Sequence, residues 1–301
     1  MKVAVIQISP IFLNKKETWS KMKIKITEAI DSGAELITWG ETLLPGYPQW
    51  ISPSGGAKFN DNDQKVAYAT YLKNSVPMND PIIKEMQQLA KEGNAILMGG
   101  IAEREATSVY ATLITVGNDG EVWGRHRKVK PTYEERLVWS DGDGKGLQVF
   151  DTPIGKLGGL NCWENWIPYA RAALHRQGEV IHVAVWPGNL ETVENISKFM
   201  ALEGRSWVIS ASGMLSRKDF SHLTTEELPM KSVMEANHDF WQNGGSMIVS
   251  PEGKIVAGPL VEREGIISTV IDEDIILRER HNFDYDGHYS RKDIFDFKIR
   301  N

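Results

Sequence analysis

One cysteine in 301 residues leaves no intramolecular disulfide and no thiolate metal cluster, and it fits a reducing compartment. No run approaches the roughly eighteen apolar residues of a membrane-spanning helix. The start, Met1-Lys-Val-Ala-Val-Ile-Gln7, lacks the apolar region and small-residue cleavage site of a secretory signal, so the cytoplasm is the expected location. Positive charge is not in excess. The formal net charge is −6 with no dominant basic patch, which argues against nucleic acid or a membrane surface as partner. Phosphate- and dinucleotide-binding glycine patterns are missing, and no histidine pair has zinc spacing. Asp141-Gly-Asp-Gly-Lys-Gly146 begins like a calcium loop, but Lys145 stands where an oxygen ligand is needed, so a turn is expected. Neither a cofactor nor a metal is expected.

What remains is an ordinary globular composition, with material for one large domain or two smaller ones. Short Val/Ile-rich runs predict buried strands at 2–8, 35–39, 95–102, 109–116, 121–127, 154–160 and 180–186. Helical spacing predicts helices over 19–30, closed by Gly33, and over 62–74, 80–92 and 191–206. Turn residues join 109–116 to 121–127, and a second hairpin over 246–260 turns on Pro251-Glu-Gly253. The strand–helix alternation runs once before about residue 127 and again after about 147. Residues 1–301 are therefore expected to form one α/β domain of two similar halves. The polar stretches 219–230 and 282–301 are expected to be surface insertions or subunit contacts.

Three places could carry chemistry. Cys162 follows the strand 154–160, and Pro168 opens a helix soon after it. A thiol at such an elbow is expected to be exposed to substrate and close to the unpaired N–H groups of the helix start, which favour negative charge on the sulfur or on an attacked substrate. The alternative is a small buried hydrophobe. Glu41 ends the strand 35–39 beside the Pro/Gly-locked loop 43–48, where an apolar setting should raise its pKa and suit a general base; otherwise it is a loop carboxylate. Lys128 belongs to the run Arg125-His-Arg-Lys-Val-Lys130 and, if held at a strand end rather than solvated, could stabilise charge on a substrate. No histidine stands out as a base. His182 reads as a core residue and His175 as an ordinary helix residue, while His222, His238, His281 and His288 lie in polar stretches.

Taken together, Glu41, Lys128 and Cys162 resemble the Glu–Lys–Cys set of the nitrilase superfamily of carbon–nitrogen hydrolases. Trp39-Gly-Glu-Thr-Leu-Leu-Pro-Gly-Tyr-Pro48 is similar to the glutamate motif, His126-Arg-Lys-Val-Lys-Pro-Thr-Tyr-Glu-Glu-Arg136 to the lysine motif and Asn161-Cys-Trp-Glu-Asn165 to the cysteine motif. His182-Val-Ala-Val-Trp-Pro187 and Gly287-His-Tyr-Ser-Arg-Lys-Asp-Ile-Phe295 resemble segments of the nitrilase branch. Gly40 and Lys292 depart from the pattern, since proline is common at both places. The resemblance implies an α-β-β-α sandwich that becomes four-layered on dimerisation, with larger spiral homo-oligomers and the tail 282–301 at an interface. It implies Cys162 as nucleophile, Glu41 as base, Lys128 as stabiliser and Glu135 as a second, positioning glutamate, with Glu134 the neighbour that could take its place. Tyr47, Trp163 and Trp186 are candidate pocket walls or, alternatively, core aromatics. The implied reaction is hydrolysis of small organic nitriles to carboxylic acid and ammonia through a thioimidate and a thioester. Cyanide hydration or amide hydrolysis is the alternative within the same chemistry, and a catalytically silent scaffold subunit the alternative outside it.

Overall fold

The computed structural model describes residues 1–229, 231–235 and 239–300. Met230, His238 and Asn301, which fall within stretches named above, lie outside the described residues. In the first half, β1 (Lys2–Gln7), α1 (Lys15–Asp31) and β2 (Leu36–Leu44) are followed by α2 (Ile51–Ser54), α3 (Asn62–Asn74) and α4 (Pro81–Glu92). The antiparallel strands β3 (Ile96–Glu105), β4 (Ser108–Val116) and β5 (Val122–Arg127) complete it. In the second half come β6 (Phe150–Thr152), β7 (Gly155–Asn161), α5 (Pro168–His175), β8 (Glu179–Trp186), α6 (Leu190–Gly204) and β9 (Trp207–Ser212). They are followed by β10 (Met214–Ser216), α7 (Lys231–Met234), the hairpin β11 (Phe240–Val249) and β12 (Ile255–Val261), then β13 (Gly265–Val270) and α8 (Glu273–Arg280).

Among the described residues these strands make two sheets, one of six strands in the order β13-β1-β2-β3-β4-β5, the other of seven running β10-β11-β9-β8-β7-β6 with β12 on β11. The central pairs β1–β2, β2–β3, β7–β8 and β8–β9 are parallel, as strands covered on both faces allow. Period-two alternation assigns their side chains. Val3 and Val5 of β1 meet Ile181, Val183 and Val185 of β8 in a core between the sheets. Ala4 and Ile6 face outward to Trp19, Met22 and Ile26 of α1 and Met86 of α4. On the far side, Ala184 and Trp186 face Val193, Ile196 and Met200 of α6. The layers are therefore α-β-β-α, four within the one chain, which corrects the expectation that four layers arise on dimerisation. No helix among the described residues is long and apolar enough to cross a membrane.

Local chemistry explains the helix starts. Asn14, Asp61 and Asp80 accept from the backbone N–H of Glu17, Gln64 and Ile82, and Pro168 occupies the first turn of α5. One strand boundary near the site, and two strands, differ from expectation. The second strand does not stop at Trp39 but continues through Glu41 to Leu44, because an irregularity between Trp39 and Leu44, with Thr42 at φ +44°, lets it bend without leaving the sheet. Strands β9 and β13 were not expected. Trp207-Val-Ile-Ser-Ala-Ser212 directly follows a helix, and Gly265–Val270 is a half-exposed edge on β1 without strong patterning.

Gly40, one of the two departures from the family pattern, has a packing reason. A Cβ there would lie 2.4 Å from the backbone N of Gly213, where β2 passes the end of β9. Gly40→Ala is expected to cost about 1–3 kcal/mol through forced separation of the sheets, readable as a lower urea midpoint.

Candidate active site

Cys162 sits at the C-terminal end of β7, as expected, but not at the start of α5. A 3₁₀ turn, Cys162–Trp166, intervenes. The residue adopts φ +46°, a strained conformation for a non-glycine residue, and only 4% of its surface is exposed. Little of it is therefore open to bulk solvent, although Cys162 lines a cavity. Burial pushes its pKa well above the ordinary thiol value, against the pull of Lys128, while Glu41 and Glu135 push further the same way and the Trp163 backbone N–H opposes them. Among the described residues, Glu41, Glu135 and Cys162 place a carboxylate oxygen each and the sulfur within 4.8 Å of one another. Such a set could hold a cation, and Lys128 already supplies one. Its Nζ donates to Glu41 Oε1 at 3.0 Å and to Glu135 Oε2 at 2.8 Å.

Glu41 is fully buried in β2, and its Oε2 has no hydrogen-bond partner. Burial raises its pKa to about 8, with Lys128 lowering it and Glu135 and Glu164 raising it. For Lys128, burial alone would depress the ammonium, but Cys162, Glu41 and Glu135 outweigh it and hold its pKa above the usual lysine value. Glu134 and Glu135 differ in their surroundings. Glu135 is buried, accepts from Lys128, from the backbone N–H of Thr132 at 2.6 Å and from Tyr47 Oη at 3.1 Å, whereas Glu134 faces the cavity. A signal for this was present. Thr132-x-x-Glu135 has the spacing of a capping box, and it caps the 3₁₀ turn Tyr133–Leu137.

The cluster opens on a cavity of about 650 Å³ through Cys162 and Glu135, with Glu41 and Lys128 behind that wall. Tyr47, Trp163 and Trp186 all line it. Trp163 is half exposed and stacked on Trp166 at 5.7 Å. Trp186 is both wall and core: it is 2% exposed, packs in the α6 cluster and donates Nε1 to Ser210 Oγ at 2.9 Å. Trp241 and Gln242 of β11, and Asn189 and Thr192 at the start of α6, also line the cavity, and no local pattern marked them.

The match to the carbon–nitrogen hydrolase family model extends over residues 2–278. The chain belongs to the carbon–nitrogen hydrolase family. Among relatives of this hydrolase, "Nitrilase 2" from an unknown prokaryotic organism is 35% identical, covering 99% of this chain and 91% of that one. "Bifunctional nitrilase/nitrile hydratase NIT4A" of Lupinus angustifolius is 32% identical, covering 100% and 86%. In fold it is similar to Nit3 of Saccharomyces cerevisiae, a member of the nitrilase superfamily, with a TM-score of 0.70 at 20% identity over 98% of this chain and 97% of that one. It is a nitrilase-type hydrolase.

Behind the cysteine, two buried polar groups of this hydrolase escaped the sequence reading. Glu164, with no exposed side-chain surface, accepts from Val129 N at 2.8 Å and Asn161 N at 3.1 Å and lies 2.7 Å from His126 Nε2. Burial opposes its charge, but His126 and the two N–H groups hold its pKa below the usual carboxylate range. His126 is thus buried rather than part of a solvated run.

On the other side, Asn165 donates to the carbonyl of Cys162 at 2.9 Å and faces His182 at 2.7 Å, and His182 faces Glu179 at 2.9 Å. His182 is a core residue, as expected. His175 is not ordinary: it lies buried 3.3 Å from Glu179 and 3.7 Å from Glu203. Burial would lower the His175 pKa, yet the two carboxylates raise it to about 9. Burial likewise opposes the charge on Glu179 and Glu203, yet their histidine and arginine partners hold both near 2. The His175 contribution to stability is complete below its unfolded value of about 6.5 and is lost as pH rises through about 9. The two carboxylate contributions are complete above about 4.5 and are lost as pH falls through about 2. Thermal midpoints are therefore expected to be higher at pH 6 than at pH 9.5 by about 2 °C or more, with the alkaline fall reduced in His175→Gln.

Proposed function

We propose that this hydrolase converts small organic nitriles to carboxylic acid and ammonia, with Cys162 as nucleophile, Glu41 as general base, Lys128 as charge stabiliser and Glu135 as the group that orients them. The observation that carries the reading is the buried Glu41–Lys128–Glu135–Cys162 cluster, which reaches a cavity through Cys162 and Glu135. The nitrilase names of relatives at 31–35% identity support it.

A nitrile carbon is a weak electrophile and calls for a thiolate, yet burial holds this thiol protonated. Glu41, with Oε2 unpartnered, takes the sulfur's proton as the sulfur attacks and passes it to the nitrile nitrogen, giving a thioimidate. Lys128 and the Trp163 backbone N–H meet the charge that develops on that nitrogen. Water, deprotonated by Glu41, adds to the thioimidate carbon. Expulsion of ammonia leaves a thioester, and a second water releases the acid and restores the thiol. Expulsion of sulfur instead gives the amide, a branch supported by the relative with the bifunctional name. Tyr47, Trp163 and Trp186 would enclose the apolar substituent, and a cavity of about 650 Å³ favours an organic nitrile over cyanide. The proposal places the whole chain in one domain in a reducing cytoplasm and the tail at a subunit interface of a homodimer or spiral. Tyr289, Ile294 and Phe295, all exposed, support that placement.

Ammonia release from aliphatic, aryl and arylaceto-nitriles, cyanide and simple amides, with Cys162→Ala as blank, tests the reading. Acid and ammonia from organic nitriles are expected. Turnover of amides or cyanide alone would replace the substrate class, and no release above the blank would favour a scaffold. Because only the carboxylate form of Glu41 accepts a proton, kcat/KM is expected to rise with pH through about 8 and level off above it. Initial rates between pH 6 and pH 9.5 check this, and a profile that falls across that range contradicts Glu41 as the base.

A further inference from the structure

We propose that Glu164 is a positioning residue for this reaction, its carboxylate tying the strand end that carries Lys128 to the turn that carries Cys162 and so fixing the ammonium beside the sulfur. The inference rests on the roles assigned above to Lys128 and Cys162. Its basis is where the partners of Glu164 lie. His126 and Val129 flank Lys128, and Asn161 precedes Cys162. Strand β5 belongs to one sheet and β7 to the other, and β7 pairs only with β6 and β8. No backbone ladder therefore relates the lysine to the cysteine, and their separation is left to packing between the sheets and to side-chain bonds. The other side-chain bond across this gap, Asn161 Nδ2 to the carbonyl of His126, is long at 3.4 Å.

The chemistry of a carboxylate suits the place. Two backbone N–H groups and the nearest imidazole nitrogen converge on Glu164, and an ionised carboxylate accepts from all of them. An amide of the same shape offers one oxygen and turns an NH₂ toward another donor. Asn161-x-x-Glu164 also caps the turn that starts at Cys162, so one side chain fixes the strained turn and its distance from Lys128. Glu164 does not line the cavity, so its loss should leave substrate binding intact. Its charge also reaches the base. Glu41 is faced by Lys128, Glu135, Cys162, Tyr47 and Tyr71, and Glu164 adds to the groups that raise its pKa.

The test compares Glu164→Gln and Glu164→Asp with the wild type at a temperature where all three are folded by circular dichroism. For Glu164→Gln the expected result is kcat lower by about 10- to 100-fold with KM within about twofold, since misplacing reacting groups by an ångström costs about that much. The acid limb of kcat/KM should also move to lower pH. Alkylation by iodoacetamide, read by mass at the single cysteine of the chain, should slow because the sulfur has lost its alignment with Lys128 and Glu41. Glu164→Asp, which keeps the charge but shortens the reach, should lower kcat while leaving the limb at its wild-type position. A kcat for Glu164→Gln within twofold of wild type overturns the proposal. So does a loss of activity with limb and alkylation rate unchanged, which would mark Glu164 as structural only. Cys162→Ala measured alongside separates the two levels: if it releases ammonia normally, the underlying mechanism fails whatever Glu164 does.

Discussion

Replacement of Cys162 by alanine is expected to lower ammonia release by about 10⁴-fold or more, to the level of the solution blank. The sulfur is the only thiol in the chain, and the groups around it serve it rather than substitute for it. Lys128 is a fully buried ammonium bonded to two carboxylates and cannot itself attack, while Glu41 is a carboxyl whose pKa burial raises to about 8. With the sulfur gone, binding and the Lys128 field remain, and neither makes a covalent bond to carbon. The fold should tolerate the change. Alanine is slightly smaller, and the cluster that Cys162 joins, with Ala184, Trp186 and Val193, is otherwise complete. A thermal midpoint close to wild type together with loss of turnover is the expected pair of results, measured by ammonia assay and calorimetry.

Lys128→Met is expected to lower kcat/KM by about 10³-fold and to destabilise the fold by about 3–5 kcal/mol. Both effects come from one charge. Lys128 sits with no exposed side-chain surface between Glu41 at 3.0 Å and Glu135 at 2.8 Å. Without it, two buried carboxylates face each other with no cation, and the cheapest response is for one to take up a proton. A protonated Glu41 is no longer a base, so the acid limb of the rate profile should move to higher pH, opposite in sign to the shift expected for Glu164→Gln. Urea unfolding gives the stability loss, and rates taken well below the variant's midpoint give the catalytic loss separately. A variant as stable as wild type would mean that the buried carboxylates do not depend on this ammonium.

The central strands were legible because burial on both faces writes continuous apolar runs, as in Val3–Ile6 and Ile181–Trp186. The helices were legible through apolar spacing, as in Trp19, Met22 and Ile26 of α1, although the cap Asn14 starts that helix earlier, at Lys15. Strand β13 was not, since it completes the first sheet from the far end of the chain and half of its surface pattern is polar or exposed. At the site, apolar context alone pointed correctly to a raised pKa for Glu41. No local pattern could bring together residues that lie 87 positions apart, as Glu41 and Lys128 do. The family resemblance joined them, and the geometry places them together. The cysteine misled in a different way. An elbow suggests a depressed pKa, but Cys162, although it lines the cavity, is buried, and desolvation dominates. Glu164 and Glu135 were readable in principle, because each stands three residues after an Asn or Thr that it caps.

The most direct test is the mass of the Cys162 peptide from enzyme acid-quenched during turnover of a nitrile substrate. A substrate-derived acyl or imidate mass on that peptide, absent in Cys162→Ala, is the expected result. Turnover that continues with Cys162 unmodified at every quench time, and persists in Cys162→Ala, would contradict a reaction carried by this sulfur.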